Sequence, residues 1–108
     1  DKISGSDGPN ELWGGYNNDV IYGGSDDDYI VLGPGDGAPV TRQWANGLDG
    51  ADEILGDTTN DKLCGDWATD NAVDIIDGSS GTDTCTHPTE DSFTDCNTDD
   101  YYCDAPPF

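Results

Sequence analysis

The chain of 108 residues carries 24 Asp and Glu against three Lys and Arg, which gives a formal net charge of −21 at pH 7. Such an acidic chain argues against nucleic-acid binding, which needs a basic face, and no apolar run approaches the ~18 residues that span a membrane. Only 32% of the residues are hydrophobic. Two explanations fit: a disordered chain, or a fold in which bound cations replace missing core energy and neutralise charge.

A nine-residue repeat runs through most of the chain. Two consecutive copies read GGYNNDVIY at 14–22 and GGSDDDYIV at 23–31, after a half-copy at 1–4. The phase is lost across 32–46 and returns at Gly47. The remaining copies in phase are 5–13, 47–55, 56–64, 65–77 (which holds four additional residues) and 78–86.

This pattern, G-G-x-G-x-D-x-U-x, resembles the calcium-binding nonapeptide of the repeats-in-toxin (RTX, hemolysin-type) family. The resemblance implies an all-β fold, a parallel β-roll or solenoid of nonapeptide repeats, with calcium ions as the cofactor. It covers most of residues 1–86. An ordered roll also suits the excess of Asp and Gly, because both residues favour tight turns.

The last three residues of each copy, x-U-x, predict a short strand whose middle residue points inward. One aliphatic residue per copy makes a thin core, which explains the low hydrophobic content without disorder. The predicted inward residues are Ile3, Leu12, Ile21, Ile30, Ile54, Leu63, Ile76 and Cys85.

The aspartate at the sixth position of each copy is the predicted calcium ligand. It lies at the end of a turn and faces the turn stacked one coil away, so that carboxylates and turn carbonyls supply the six to eight oxygens calcium takes. The family pattern transfers this role to Asp19, Asp28, Asp52, Asp61, Asp74 and Asp83.

Four further residues near the turns are weaker candidates. Asn10 keeps an oxygen at the sixth position but loses the charge, so a site there is expected to bind more weakly. Asp1 belongs to an incomplete turn. Asp26 and Asp49 lie inside turns, where they are either ligands or solvated charges.

Two insertions interrupt the repeat, at 32–46 and at 67–72. The first is expected to form a longer loop in which Trp44 covers the thin core and Arg42 pairs with acidic residues; the alternative is a ligand contact. The second is expected to emerge on a turn and carries Trp67.

The four cysteines predict two disulfides and an oxidising, extracellular setting, although sequence alone allows three connectivities. Residues 87–108 are expected to form a disulfide-linked C-terminal cap followed by an acidic-aromatic tail. The resemblance to such caps in extracellular bacterial proteins implies a Cys85–Cys96 bridge, which leaves Cys64 with Cys103. The bridges would pin the cap over the last coil of the domain at 1–86.

Catalysis is not expected, because the only histidine, His87, stands beside a proline in the tail and no nucleophile–base set is apparent. The favoured function is a secreted calcium-binding structural protein that folds on calcium and acts in extracellular assembly, adhesion or matrix. Its sharper form is a filament subunit that self-associates end to end through an uncapped N-terminal coil. The alternatives are a calcium-folding C-terminal module of a larger secreted enzyme or toxin, and a glycan-binding module that uses Trp13, Trp44 and Tyr22.

Overall fold

The structure is a computed structural model, and it describes residues 1–35, 43–65, 72–86, 92–96 and 98–100. The described residues form an all-β solenoid, as predicted. Its strands are β1 (Lys2–Ser4), β2 (Glu11–Trp13), β3 (Val20–Gly24), β4 (Tyr29–Val31), β5 (Gln43–Leu48), β6 (Glu53–Leu55), β7 (Asp61–Cys64), β8 (Ile75–Asp77), β9 (Thr84–Thr86), β10 (Ser92–Thr94) and β11 (Thr98–Asp100).

The strands alternate between two parallel sheets, because each coil of the solenoid contributes one strand to each. The first sheet has the order β1-β3-β5-β7-β9-β11, and the second has the order β2-β4-β6-β8-β10. Consecutive coils are in register, with Ile3 beside Ile21 in the first sheet and Leu12 beside Ile30 in the second. In the described part of the chain, no helix is long and apolar enough to cross a membrane.

The core lies between the two sheets and contains all eight predicted inward residues. Six of them are fully buried, while Ile3 and Leu12 are partly buried because β1 and β2 are end strands that pair on one side only. Two further residues, Leu32 and Ala45, complete the core and were not predicted. With about one aliphatic side chain per nine residues, the core is thin.

The turns between the strands depend on residues that tolerate a positive φ. In five copies the fourth position adopts the left-handed conformation, which glycine, asparagine and aspartate enter at the least cost. These fourth-position residues are Gly8 (φ 89°), Asn17 (77°), Asp26 (73°), Gly50 (123°) and Gly81 (119°). The Gly, Asn and Asp residues that the composition indicated as turn formers therefore occupy one fixed position, the fourth, in these copies.

The first insertion is shorter than the predicted loop at 32–46. The N–H of Leu32 donates to the carbonyl of Leu55 at 3.0 Å, the bond that the first residue of a regular copy makes. β5 begins at Gln43, so the repeat is back in phase four residues before Gly47. The additional residues lie at 36–42, outside the described residues.

Trp44 is fully buried, but on the opposite side of the first sheet from the core. Its neighbour Ala45 faces the core, so Trp44 projects from the outer face, where its ring centroid lies 4.9 Å from that of Tyr22. Trp44 therefore does not cover the core as predicted. Arg42 and Trp67, the other insertion residues singled out in the sequence, lie outside the described residues.

The predicted Cys85–Cys96 disulfide is present, with its Cα atoms 5.8 Å apart. Cys85 occupies an inward position, and Cys96 packs against the core. Cys64 is buried and disulfide-bonded. Because Cys103 lies outside the described residues, the Cys64–Cys103 pairing stays a prediction.

Parallel strand pairing continues past residue 86, where the cap was predicted to begin. β10 pairs with β8 and β11 pairs with β9, each in the register of the preceding coils. The division into domains at 1–86 and 87–108 stays a prediction. The second predicted insertion, at 67–72, lies outside the described residues except for Ala72.

Candidate metal sites

The sixth-position residues of successive coils stack into two columns. Each column runs along the line where the strands of one sheet begin. The order of the residues follows from the strand registers, since each residue lies at the end of a turn, where its strand begins. The first column, along the first sheet, contains Asp1, Asp19, Gln43, Asp61 and Asp83. The second column, along the second sheet, contains Asn10, Asp28, Asp52 and Asp74.

All six aspartates predicted as ligands are buried. Asp28 is 3% exposed, Asp52 is 2% exposed, and the other four are fully buried. An ionised carboxylate in such a position has lost its water and is costly unless a positive charge or hydrogen bonds compensate. The fold therefore places six carboxyl groups, along two lines, where solvent does not reach them.

Backbone N–H groups supply one part of the compensation. In the second column Asn10 donates to Oδ1 of Asp28, Asp28 to Oδ1 of Asp52, and Asp52 to Oδ1 of Asp74, each at 2.8 Å. These bonds form an unbroken series across the coils. Each aspartate thus fixes the turn that precedes it in the stack.

The same series is interrupted in the first column. The amino group of Asp1 donates to Oδ1 of Asp19 at 2.8 Å, and Asp61 donates to Oδ1 of Asp83 at 2.9 Å. Between them stands Gln43, and Asp61 accepts instead from the N–H of Asp57 in its own turn, at 2.9 Å. Gln43 is the sixth-position residue that sequence reasoning missed, because the insertion before it hid the phase.

The second carboxylate oxygen points into a cradle lined with oxygen. Within the described residues, Oδ2 of Asp19 and Oδ2 of Asp28 are buried and accept no hydrogen bond. A Cβ on Gly14 would come within 2.5 Å of the first, and a Cβ on Gly23 within 2.5 Å of the second. Glycine at the first position of the copy therefore leaves this space open.

Carbonyl oxygens of the stacked turn border the same cradles. The carbonyl of Leu32 faces Gly14, and the carbonyl of Gly47 faces Gly23. A carboxylate oxygen and a carbonyl oxygen from two coils therefore adjoin each first-position glycine. Such an all-oxygen, irregular donor set suits calcium better than magnesium, which requires tighter octahedral geometry.

The pKa values of three of these aspartates reflect their burial. Burial raises the pKa of Asp61 to about 7, with the nearby charges of Asp57 and Asp83 adding to the effect. Burial likewise raises the pKa of Asp83 to about 6, and it raises the pKa of Asp28. These carboxylates resist ionisation in the bare protein, and a bound cation would reverse that preference.

Asp57 is the exception, and it has a structural part in its turn. Burial alone would raise its pKa, but N–H groups of Thr59 and Gly35, each at 2.8 Å, and the Thr59 hydroxyl at 2.7 Å hold that pKa below its usual range. Asp57 thereby ties together two stacked turns. The nine-residue repeat pattern in the sequence did not indicate this role.

The weaker candidates are placed as follows. The side chain of Asp1 is 82% exposed, and Asp49 is also exposed. Oδ2 of Asp26 accepts the N–H of Gly8 in the preceding coil at 2.9 Å, so Asp26 links turns rather than standing free in solvent. Asn10 joins the second column through its backbone, as described above.

The described residues contain no cluster of three or more His, Cys, Asp or Glu side chains that could hold a metal. This agrees with the construction of the columns, in which each copy brings one sixth-position side chain and the remaining oxygens come from the backbone. The cradles are consequently a property of stacked turns, not of a local side-chain cluster.

A comparison with protein families matches this pattern. The RTX calcium-binding nonapeptide repeat, in four copies, matches residues 1–37 and 43–72. The chain belongs to this family. The repeats of this family bind calcium ions and are structural, not catalytic. No curated protein and no solved structure matches the chain significantly.

Proposed function

We propose that the chain holds calcium in its two columns through Asp19, Asp28, Asp52, Asp61, Asp74 and Asp83, together with turn carbonyls. The observation that carries the proposal is the buried Oδ2 of Asp19 and of Asp28, each without a hydrogen-bond donor among the described residues and each facing the first-position glycine of its copy. Bound calcium would supply the missing positive charge at these oxygens.

Charge balance makes calcium binding and folding one process. The chain has a net charge of −21, and each bound calcium would cancel two of these charges. In its absence, stacking the coils brings carboxylates together in a dry environment, which the raised pKa values of Asp61 and Asp83 reflect. Because the unfolded chain has no assembled cradle, the free energy of binding becomes free energy of folding.

The proposed biological role is that of a secreted structural protein in extracellular assembly, adhesion or matrix. Proteins with these repeats are typically secreted and extracellular. The Cys85–Cys96 bridge agrees with an oxidising compartment. Extracellular calcium would then keep the chain folded, whereas in low calcium it would stay expanded.

End-to-end self-association is the sharper form of this role. β1 and β2 are end strands in the structure, and Ile3 and Leu12 beneath them are only partly buried. A further coil of another molecule could extend both sheets and cover these side chains. Negative-stain microscopy with and without calcium tests this: filaments in calcium support it, and single particles at high concentration contradict it. The alternative, a folding module of a larger secreted enzyme or toxin, is supported if the gene encodes a catalytic or toxin domain in the same chain.

Glycan binding is a second candidate, favoured by the outer face of the second sheet. Trp13 is 58% exposed there, and its ring lies 6.2 Å from that of Tyr29. A groove of about 510 Å³ beside them is lined by Tyr29, Glu11, Glu53 and Ile75, among others. Trp44, in contrast, is buried and unavailable. Trp13→Ala should weaken retention on polysaccharide columns, and Tyr16→Ala, a control at another exposed aromatic, should not; equal retention of both variants contradicts this candidate.

Circular dichroism in a chelator, followed by addition of calcium or magnesium, tests the principal proposal. We expect a coil spectrum in chelator, a β spectrum on addition of calcium, and little change with magnesium at the same concentration. The Asp28→Asn variant should need more calcium than the wild type. A β spectrum that persists in chelator at about pH 7.5 would contradict the proposal.

A further inference from the structure

The side chain of Asn10 does not present an oxygen where the aspartates do. Asn10 occupies the sixth position of the copy at 5–13, and its Nδ2 lies 2.9 Å from a Cβ placed on Gly5. In the next copy, the equivalent atom opposite Gly14 is the carboxylate oxygen Oδ2 of Asp19. A nitrogen that carries two hydrogens therefore stands at the place of a predicted ligand atom.

Three oxygens surround this nitrogen. Nδ2 of Asn10 donates to the carbonyl of Ser6 at 3.0 Å, to the carbonyl of Gly8 at 2.8 Å and to Oδ1 of Asp28 at 3.1 Å. Two turn carbonyls and the carboxylate of the next coil are the kinds of oxygen that a calcium site gathers. Here the two hydrogens of Nδ2 are shared among these oxygens without a cation.

Gln43, the other amide at a sixth position, makes a corresponding contact. Its Nε2 donates to the carbonyl of Gly33 at 2.8 Å, and more distantly to the hydroxyl of Thr59 at 3.4 Å. Gly33 is the second residue of its copy, as Ser6 is in the copy that contains Asn10. Gln43 is 1% exposed, and its Oε1 accepts no hydrogen bond from the described residues.

Two amides on different sheets thus direct their NH₂ groups at the second-position carbonyl of their own turns. We propose that the side-chain amide of Asn10, and in the same way that of Gln43, closes its turn in place of a cation, so that these two turns take no calcium of their own. This rests on the proposed function, in which carboxylates at the sixth position hold calcium.

The consequence is a chain whose calcium count follows the sixth-position aspartates alone. An amide at this position removes one negative charge and supplies a permanent donor, so in the folded chain the turn is closed without a calcium ion of its own. The weak calcium site expected at Asn10 from the sequence is the competing account. The two accounts differ in what happens when the amide is removed.

Three variants separate the two accounts: Asn10→Ala, Asn10→Asp and, as a matched control at the sixth position of the neighbouring copy, Asp19→Asn. Bound calcium per chain is measured by equilibrium dialysis and by isothermal titration, with circular dichroism in saturating calcium to check folding. We expect Asn10→Ala to bind as many calcium ions as the wild type in saturating calcium, but to need more calcium to fold, because its turn loses the bonds of the amide. Asn10→Asp should bind one more, and Asp19→Asn one fewer.

Loss of a calcium ion in Asn10→Ala would overturn the inference, because Asn10 would then be a ligand. An unchanged count in Asn10→Asp would overturn it as well, and this arm remains decisive if the alanine variant fails to fold. If Asp19→Asn also leaves the count unchanged, the assignment of calcium to the sixth position fails, and the proposed function and the inference fall together.

Discussion

The two columns of sixth-position residues are built from the same repeat, yet only one of them is continuous. In the second column, backbone N–H groups donate to Asp28, Asp52 and Asp74 in an unbroken series at 2.8 Å. In the first column, Gln43 replaces an aspartate, and Asp61 accepts from its own turn instead. The difference shows that the coils stack in register past a sixth position that lacks a carboxylate.

The interruption also changes how the columns should respond to calcium. A continuous series of buried carboxylates couples each site to the next, since the aspartates in its middle both accept from one coil and donate to another. The first column is divided into two shorter parts by Gln43. We therefore expect the second column to carry most of the cooperativity of calcium-dependent folding.

The largest expected effect comes from breaking the second column in its middle. Asp52→Ala removes a proposed calcium ligand and leaves the buried N–H of Asp28 without its acceptor. We expect a loss of about 3 kcal/mol, or ~100-fold in the calcium midpoint. The control Asp49→Ala removes an exposed carboxylate and should shift the midpoint less than about twofold. Calcium titrations followed by circular dichroism measure both; coincident curves for Asp52→Ala and the wild type would refute the coupling.

A somewhat smaller effect is expected from filling a cradle. In Gly23→Ala the new methyl would lie 2.5 Å from Oδ2 of Asp28 and against a fixed backbone carbonyl. We expect a loss of about 2–3 kcal/mol in thermal unfolding with calcium, typical of overpacking. In Gly35→Ala, beside Gln43, the methyl would meet Oγ1 of Thr59 at 2.6 Å, and that side chain would have to give up its hydrogen bond to Asp57 in order to move away.

We therefore expect Gly35→Ala to lose less than Gly23→Ala, about 1 kcal/mol for the displaced hydrogen bond, because a side chain can shift where a backbone carbonyl cannot. Neither glycine has a positive φ, so the pair compares space alone. Equal losses of stability in the two variants would contradict this comparison, because they would show that a methyl group is accommodated equally poorly at Gly23 and at Gly35.

The pH dependence of the calcium-free protein should come mainly from the first column. Burial raises the folded-state pKa of Asp61 to about 7 and that of Asp83 to about 6, from the ordinary value of 3.8. A raised pKa stabilises the folded state below about pH 4, and this contribution is lost as the pH rises through about 6 to 7. Calcium-free protein should therefore be more ordered at about pH 4.5 than at about pH 7.5.

With calcium the direction reverses, because protons compete for the same carboxylates, and the midpoint should rise as the pH falls below about 7. Circular dichroism across this range, with and without chelator, measures both trends. Asp61→Asn should flatten the calcium-free profile. A profile of the variant that overlays the wild type would contradict the assignment to the first column.

The smallest expected effect comes from repairing the first column. Gln43→Asp places an aspartate at this sixth position, as at Asp19, Asp61 and Asp83 in the same column. The variant should therefore bind one more calcium ion, and the calcium midpoint of folding should fall by up to about tenfold. An unchanged calcium count would mean that the missing negative charge at position 43 is not the reason why calcium does not bind there.

Much of the fold could be predicted because the repeat places one inward residue and one sixth-position residue in each copy. All eight predicted inward residues lie in the core, and all six predicted aspartates are buried. Periodicity works here because parallel coils in register convert sequence phase directly into position. The Cys85–Cys96 bridge, implied by resemblance, is also present.

The misses cluster at the first insertion. Leu32 and Ala45 join the core, and Gln43 joins the first column, although none fits the consensus residue at its position. A signal existed, because the four residues immediately before Gly47 follow the order D-x-U-x with Gln and Ala substituted. The burial of Trp44 on the outer face could not be predicted, since phase says which face a residue occupies but not what covers it.

The most direct test of the central claim is the radius of gyration of the oxidised protein, measured by small-angle scattering while calcium is added to chelated protein. The folded chain has a Cα radius of gyration of 12.0 Å. An unfolded chain of this length approaches ~30 Å, somewhat less with disulfides intact. We predict an expanded chain in chelator that contracts to near the folded value as calcium fills the columns. A chain that stays compact in chelator at about pH 7.5, above the pKa of Asp61 at about 7 and that of Asp83 at about 6, would contradict the account.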